Sequence, residues 1–185
     1  MQIEPPHKNL TPKPLGRLDL NGRYELYVDG SPGPIKESGW SGWGLAMMAG
    51  ENVIYEACGV TAERITSNAA ELEAILHGLS YLSRLQLPSV VPLWTDSQYS
   101  ADAIAKLPTT RRNNYCDEKG KPVANADRLK LICEMLYEME MTDLTVIRWV
   151  KGHNKTIGNE IADKLSKEAA YKGKAYYQEH HTQNE

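Results

Sequence analysis

The pattern of apolar and polar positions changes twice along this chain of 185 residues. In the first third, aromatic and β-branched residues alternate with polar ones, which predicts β-strands at 24–28, 42–49 and 52–59. The turn residues Asp29-Gly30-Ser31 follow the first strand. Gly50-Glu51 predicts a tight hairpin between the other two.

A helical period replaces this alternation after Asn68. Leucine or isoleucine recurs at positions 72, 75, 76, 79 and 82, the spacing of one face of an amphipathic helix. Further along, the pattern predicts helices at 97–107, 129–139 and 159–171, strands at 90–95 and 144–150, and a turn-rich stretch at 108–126. Because Pro92 has no N–H to donate, we expect the paired part of its strand to be short.

The order of these elements predicts an α/β fold. Three strands in a meander, followed by strands that alternate with helices, imply a mixed sheet with antiparallel and parallel pairs and helices packed on it. Residues 24–172 form one domain in this prediction. Residues 1–23, which hold four prolines, are expected to be a flexible leader, and residues 173–185 a polar tail that frays.

Composition narrows the class of protein. Apolar residues make up 41% and charged residues 24% of the chain, values typical of a globular domain and unlike those of a disordered, collagenous or membrane-spanning chain. With 21 basic and 24 acidic residues the net charge is −3, so any case for nucleic-acid binding rests on local residues. The first residues carry no secretion signal, and we expect a cytoplasmic protein.

Four acidic residues occupy positions where structure alone does not demand them: Asp29, Glu71, Asp96 and Asp163. Asp29 and Asp96 follow predicted strands, and they converge if those strands are neighbours. Clustered carboxylates repel one another, and hard cations such as Mg²⁺ or Mn²⁺ relieve that repulsion. Two such ions are suited to the in-line hydrolysis of a phosphodiester, which is nuclease chemistry.

Each acid also has a purely structural explanation. Asp29 and Asp96 fit strand-ending turns. Glu71 fits a capping box in which Asn68 is the N-cap residue of the helix. Asp163 fits an ion pair with Lys167, four residues further along the same helix.

The residues around these acids form ordered motifs. They read YVDGS at 27–31, TSNAAEL at 66–72, TDSQY at 95–99, WVKGH at 149–153 and NEIAD at 159–163. Together they closely resemble the type 1 ribonuclease H family, the bacterial ribonuclease HI proteins, over residues 24–171. Several motifs in the same order are far more specific than any one of them.

The resemblance implies a ribonuclease H-like fold, with a five-stranded mixed sheet flanked by helices. It also implies an endonuclease that cuts the RNA strand of an RNA/DNA hybrid and leaves 5′-phosphate and 3′-hydroxyl ends. The residues matching the family's metal ligands are Asp29, Glu71, Asp96 and Asp163, which would bind two ions of Mg²⁺, with Mn²⁺ as the alternative. His153 matches a histidine on a mobile loop that assists turnover.

Substrate contacts follow from the same resemblance. Arg64, Thr66 and Asn125 match a pocket that holds a phosphate of the DNA strand. Ser67, Asn68 and Gln98 match residues that touch the minor groove of the hybrid, where the RNA 2′-hydroxyls are displayed. The implied partner is therefore an RNA/DNA hybrid, and no association with a membrane is expected. No feature of the sequence predicts an oligomer, so we expect a monomer.

The chain departs from the family pattern at two contact positions. Ser67 stands where many members have Asn, and Ala69 stands where bacterial members often have Arg. These departures leave open a non-catalytic module that binds the hybrid without cutting it. Relatives of the same broad fold that cut DNA, such as integrases and transposases, are a weaker alternative because they generally lack the Lys151-Gly152-His153 loop and the Arg64 and Thr66 pocket.

Overall fold

Six strands form one sheet in the computed structural model, which describes residues 22–34, 40–61, 63–85, 91–140, 146–152, 155–173 and, for the backbone alone, 176–179. The strands are β1 (Tyr24–Ser31), β2 (Gly42–Ala49), β3 (Asn52–Val60), β4 (Leu93–Thr95), β5 (Ile147–Trp149) and β6 (Tyr176–Glu179). Their order is β5-β4-β1-β2-β3-β6. The parallel pairs are β1–β4 and β4–β5, and the other pairs are antiparallel.

The five-stranded mixed sheet that the sequence predicts is confirmed in strands β1 to β5. The sixth strand, β6, lies in the tail that was expected to fray, so that expectation is wrong for Tyr176–Glu179. Its backbone pairs with β3, whose outer edge would otherwise present unpaired N–H and C=O groups. The leader, apart from residues 22 and 23, lies outside the described residues.

Five helices lie within the described residues. They are α1 (Ser67–Leu82), α2 (Gln98–Ala105), α3 (Leu107–Arg112), α4 (Ala126–Glu138) and α5 (Ile157–Lys172). Helix α3 covers the start of the stretch predicted to be turn-rich, so that prediction is wrong for residues 108–112. Proline is well tolerated in the first turn of a helix, which is where Pro108 lies. No helix among the described residues has the length and apolarity needed to cross a bilayer.

The alternation of large and small residues in β2 determines what packs on each face of the sheet. Trp43, Leu45 and Met47 belong to the main core cluster with residues of α1 and α4. The residues that alternate with them are Gly42, Gly44 and Ala46, and α5 packs against this small-residue face. The sheet therefore has α1 and α4 on one side and α5 on the other.

Backbones of helices and strands touch directly at the glycines. A Cβ atom on Gly44 would lie 2.3 Å from the Ala162 carbonyl oxygen and 2.7 Å from the Ser166 nitrogen, both in α5. A Cβ atom on Gly30 in β1 would lie 2.2 Å from the Ala70 carbonyl carbon and oxygen in α1. Any side chain at these positions would push the helices away from the sheet.

We expect Gly44→Ala to lower the free energy of unfolding by about 1 to 3 kcal/mol, because the new methyl group overpacks the contact with α5. Urea unfolding measures this loss, and amide hydrogen exchange should accelerate within α5.

Gly50→Ala is the matched control. A Cβ atom at Gly50 meets nothing within 4 Å, so the substitution brings only the strain of a positive φ, +60°. It should leave exchange in α5 unchanged. Equal acceleration of α5 exchange in both variants would argue against a specific clash.

Candidate active site

Asp29 lies within β1, the strand at the centre of the sheet. It is paired with Gly44 of β2 and is only 5% exposed. The strand continues to Ser31, so the expectation of a strand that ends before Asp29 is wrong, and a turn does not explain this acid. A carboxylate in the interior of a central strand loses most of its hydration.

The Glu71 side chain approaches Asp29 from α1, which lies on the face of the sheet opposite to α5. Helix α1 rests on Gly30, and the Gly30 N–H donates to Glu71 Oε2 at 3.2 Å. The N-cap residue of α1 is Thr66, whose hydroxyl accepts from the Ala69 N–H at 3.2 Å. The alternative of a capping box with Asn68 at the N-cap is therefore wrong, and the Glu71 carboxylate faces β1.

Asp96 follows the last residue of β4, as the sequence predicts. The neighbouring elements hold it at two points. The Asn159 amide in α5 donates to Asp96 Oδ2 at 3.1 Å, and the Trp149 indole N–H donates to the Asp96 carbonyl oxygen at 3.1 Å. Because β4 is parallel to β1 and paired with it, Asp96 comes beside Asp29.

The three acids form one cluster. One carboxylate oxygen each from Asp29, Glu71 and Asp96 lies within 4.8 Å of the others. Burial, together with the charges of Asp96 and Asp163, raises the pKa of Asp29 to about 7, although a hydrogen bond from Ser166 and the charge of Lys167 act to lower it. Burial, followed by the charges of Asp29 and Asp96, raises the pKa of Glu71 to about 9.

This donor set fits a divalent metal ion. Hard cations prefer carboxylate oxygens, and a positive ion at the centre of the cluster would remove both the mutual repulsion and the desolvation cost that raise these pKa values. The residues that could hold the ion are Asp29, Glu71 and Asp96.

Asp163 lies apart from this group. Its carboxylate pairs with the Lys167 ammonium, with N–O distances of 2.6 and 2.8 Å, which is the structural explanation that the i, i+4 spacing predicts. Asp163 is nevertheless close enough for its charge to raise the pKa of Asp29. The structure thus brings three of the four predicted acids together and places the fourth beside them in an ion pair.

Sequence reasoning missed Ser166 and Asn159 as residues of this site. Ser166 is fully buried, and its hydroxyl donates to Asp29 Oδ2. Asn159 is 3% exposed. A signal was present in the sequence, because Asn159, Asp163 and Ser166 recur at i, i+4 and i+7 and so place three polar groups on one face of α5.

The predicted substrate contacts cluster at the beginnings of helices. Thr66, Ser67 and Asn68 are exposed at the start of α1, and Gln98 is exposed at the start of α2. Asn125 is the N-cap residue of α4, and its amide donates to the Tyr99 hydroxyl at 2.8 Å. His153 lies outside the described residues.

An ion pair joins the start of α4 to the second turn of α1. Arg128 near the start of α4 donates from Nε to Glu73 Oε2 in α1 at 2.9 Å. The first N–H groups of a helix lack partners within the helix and favour an anion, and the exposed Arg64 lies just before α1.

We expect Glu71→Gln to stabilise the protein in the presence of a chelator at pH 9. The raised pKa values of Asp29 and Glu71 mean that stability is fully present below about pH 4 and declines as pH rises through about 7 and 9. The substitution removes one charge while an amide oxygen still accepts from Gly30. Thermal unfolding should show a melting temperature about 3 °C or more above that of the wild type at pH 9, and little difference at pH 5. A rise of this size corresponds to a gain of about 1 kcal/mol in the free energy of unfolding.

Glu138→Gln, at an exposed position in α4, is the matched control and should keep the pH slope of the wild type. Identical slopes for Glu71→Gln and the wild type would contradict a buried charge cluster.

Comparison with known proteins identifies relatives. The RNase H family model matches residues 21–171. The ribonuclease H of Erythrobacter litoralis is 35% identical over 153 residues, which cover 80% of this chain and 96% of that protein. The ribonuclease H of Rhizobium etli is 37% identical over 159 residues, which cover 82% and 95% of the two chains.

A solved structure shows the same architecture. The solution structure of the PFV RNase H domain superposes with a TM-score of 0.62 at 28% identity, covering 80% of this chain and 96% of that domain. The family model spans most of the chain and includes all the acids described above. This chain belongs to the RNase H family.

Proposed function

We propose that this protein is an endonuclease that hydrolyses the RNA strand of RNA/DNA hybrids and leaves 5′-phosphate and 3′-hydroxyl ends. The observation that carries the proposal is the convergence of Asp29, Glu71 and Asp96 within 4.8 Å, in a chain of the RNase H family. Curated relatives that match over most of their length are named ribonuclease H.

Asp29, Glu71, Asp96 and Asp163 are the proposed ligands of two Mg²⁺ ions, with Mn²⁺ as the alternative. When bound, such ions activate a water molecule and stabilise the developing charge on the phosphate. Asp29 in β1 and Asp96, just after the adjacent parallel strand β4, would hold the ions together with Glu71 and Asp163. Asp163 would have to exchange its Lys167 partner for the ion.

The other residues hold these ligands in place. Asn159 and Trp149 orient Asp96 by hydrogen bonds to its carboxylate and its backbone carbonyl, and the Gly30 N–H orients Glu71. Because these side chains are already oriented before the substrate binds, they need not rearrange during the chemical step. The role of His153 in assisting turnover stays a prediction, and His153→Ala should slow turnover without abolishing it.

Two sets of polar groups would select the hybrid. Ser67, Asn68 and Gln98 would read 2′-hydroxyl groups in the minor groove, where RNA differs from DNA. Arg64 and Thr66 before α1, and Asn125 at the N-cap of α4, would hold a phosphate of the DNA strand. Recognition of the backbone and groove shape carries little dependence on base sequence. A monomer would suffice for these contacts.

We expect cleavage of a labelled RNA/DNA hybrid, in its RNA strand only, with Mg²⁺ or Mn²⁺ and none with a chelator. RNA/RNA, DNA/DNA and DNA with a single embedded ribonucleotide should remain intact. Asp96→Asn should lower the rate by about 100-fold or more, because it removes a charge that the reaction requires while the amide oxygen still accepts from Asn159. Circular dichroism would confirm that the variant folds.

Full activity in Asp96→Asn would contradict the assignment of the active site. Tight binding of the hybrid without cleavage by the wild type would favour the non-catalytic binding module that Ser67 and Ala69 left open. Cutting of the DNA duplex would favour the DNA-cutting relatives of this fold.

We expect Arg64→Ala to raise the KM for the hybrid about 10-fold with little change in kcat, because a charged contact to a phosphate is lost. The slope of log affinity against log salt concentration should fall by about 1.

Arg84→Ala is the matched control. Arg84 lies beyond the opposite end of α1, where its Nε donates to the Ser80 carbonyl at 2.9 Å, and the 16-residue helix spans about 24 Å. An equal rise in KM for both variants would show that Arg64 contributes only general positive charge.

A further inference from the structure

Ser166 is a buried polar residue in contact with the metal site. It lies in α5 and is fully buried, and its hydroxyl is within hydrogen-bond distance of Asp29 Oδ2 and of the Asp163 carbonyl oxygen, the latter at 2.9 Å. A serine hydroxyl has one proton, so it donates to only one of these acceptors at a time.

The Asp29 carboxylate is the acceptor that needs this proton. The Asp163 carbonyl belongs to the interior of α5, where the helical hydrogen-bond ladder already supplies it with a donor. Asp29 lies in the interior of the sheet, and an ionised carboxylate there is costly unless it accepts hydrogen bonds. The Ser166 hydroxyl is therefore directed to Asp29 whenever Asp29 is charged.

The close packing of α5 on β2 is what allows this contact. Asp29 is paired with Gly44, and a Cβ atom on Gly44 would lie 2.7 Å from the Ser166 nitrogen. On the other side of Ser166, a Cβ atom on Gly42 would lie 2.2 Å from the Ser166 carbonyl oxygen. Two glycines in β2 thus leave the space in which the serine reaches across to β1.

We propose that Ser166 is a positioning residue that fixes the orientation of the Asp29 carboxylate and thereby sets the affinity of the site for its divalent metal ions. The inference rests on the proposed function in one respect, that Asp29 is a metal ligand. The hydroxyl binds Oδ2 of Asp29, and one Asp29 carboxylate oxygen lies within 4.8 Å of one oxygen each from Glu71 and Asp96. Loss of a residue that orients a metal ligand in this way commonly lowers metal affinity about 10- to 100-fold.

Ser166→Ala and Ser166→Cys separate the hydrogen bond from the packing. Alanine removes the hydroxyl and leaves a small void. Cysteine fills the space, but its S–H is a weak donor. Binding of Mn²⁺ and of Mg²⁺ to the folded protein without nucleic acid is measured by calorimetry and by the rise in melting temperature.

We expect both variants to need about 10-fold more metal for half-saturation. In the cleavage assay the metal concentration for half-maximal kcat should rise by the same factor, while the KM for the hybrid stays the same.

Ser100→Ala is the matched control, since Ser100 is also fully buried but its Oγ has no hydrogen-bond partner among the described residues. Its metal affinity should equal that of the wild type. Wild-type metal affinity in Ser166→Cys would overturn the proposal and leave Ser166 a packing residue, and this reading stands even if Ser166→Ala fails to fold.

Metal binding and cleavage are measured separately, so the two proposals fail in different ways. A wild type that binds metal but does not cut the hybrid would overturn the proposed function, while the Ser166 variants would still decide the role of the hydroxyl. A wild type that binds neither ion would overturn the metal site and this inference with it.

Discussion

Contact between helix and strand backbones at glycine residues is the constraint on which the site depends. Helix α1 lies on Gly30 of β1, and α5 lies on Gly42 and Gly44 of β2, at distances that no side chain would permit. Asp29 lies between these two contacts, adjacent to Gly30 and paired with Gly44. The glycines therefore bring Glu71 from one face of the sheet, and Ser166 from the other, to a single carboxylate.

The cluster of Asp29, Glu71 and Asp96 lowers the stability of the fold but suits the binding of a cation. Three carboxylates come together where water is largely excluded, and both burial and mutual repulsion raise the pKa values of Asp29 and Glu71. The same features suit the cluster to a divalent cation, because such an ion would remove the repulsion between the carboxylates. Stability and metal binding are therefore linked through the same atoms.

Helix α5 orients several parts of the site at once. Its polar residues contact three of the four acids: Asn159 binds Asp96, Ser166 binds Asp29, and Lys167 binds Asp163. The small residues of β2 that face α5 let the helix approach the sheet more closely than larger side chains would allow. A single helix that carries these partners can hold the acids in one arrangement.

The sequence by itself determined the five-stranded mixed sheet and most of the helices, singled out four candidate acids and showed the resemblance to ribonuclease H, because these depend on local periodicity and on motifs. The tertiary structure decided what depends on approach between distant segments. It placed Asp29 inside β1, Thr66 at the N-cap of α1, Pro108 inside a helix and residues 176–179 on the edge of the sheet. It also separated Asp163 from the other acids and brought Ser166 to Asp29, since residues 137 positions apart in sequence meet only through packing.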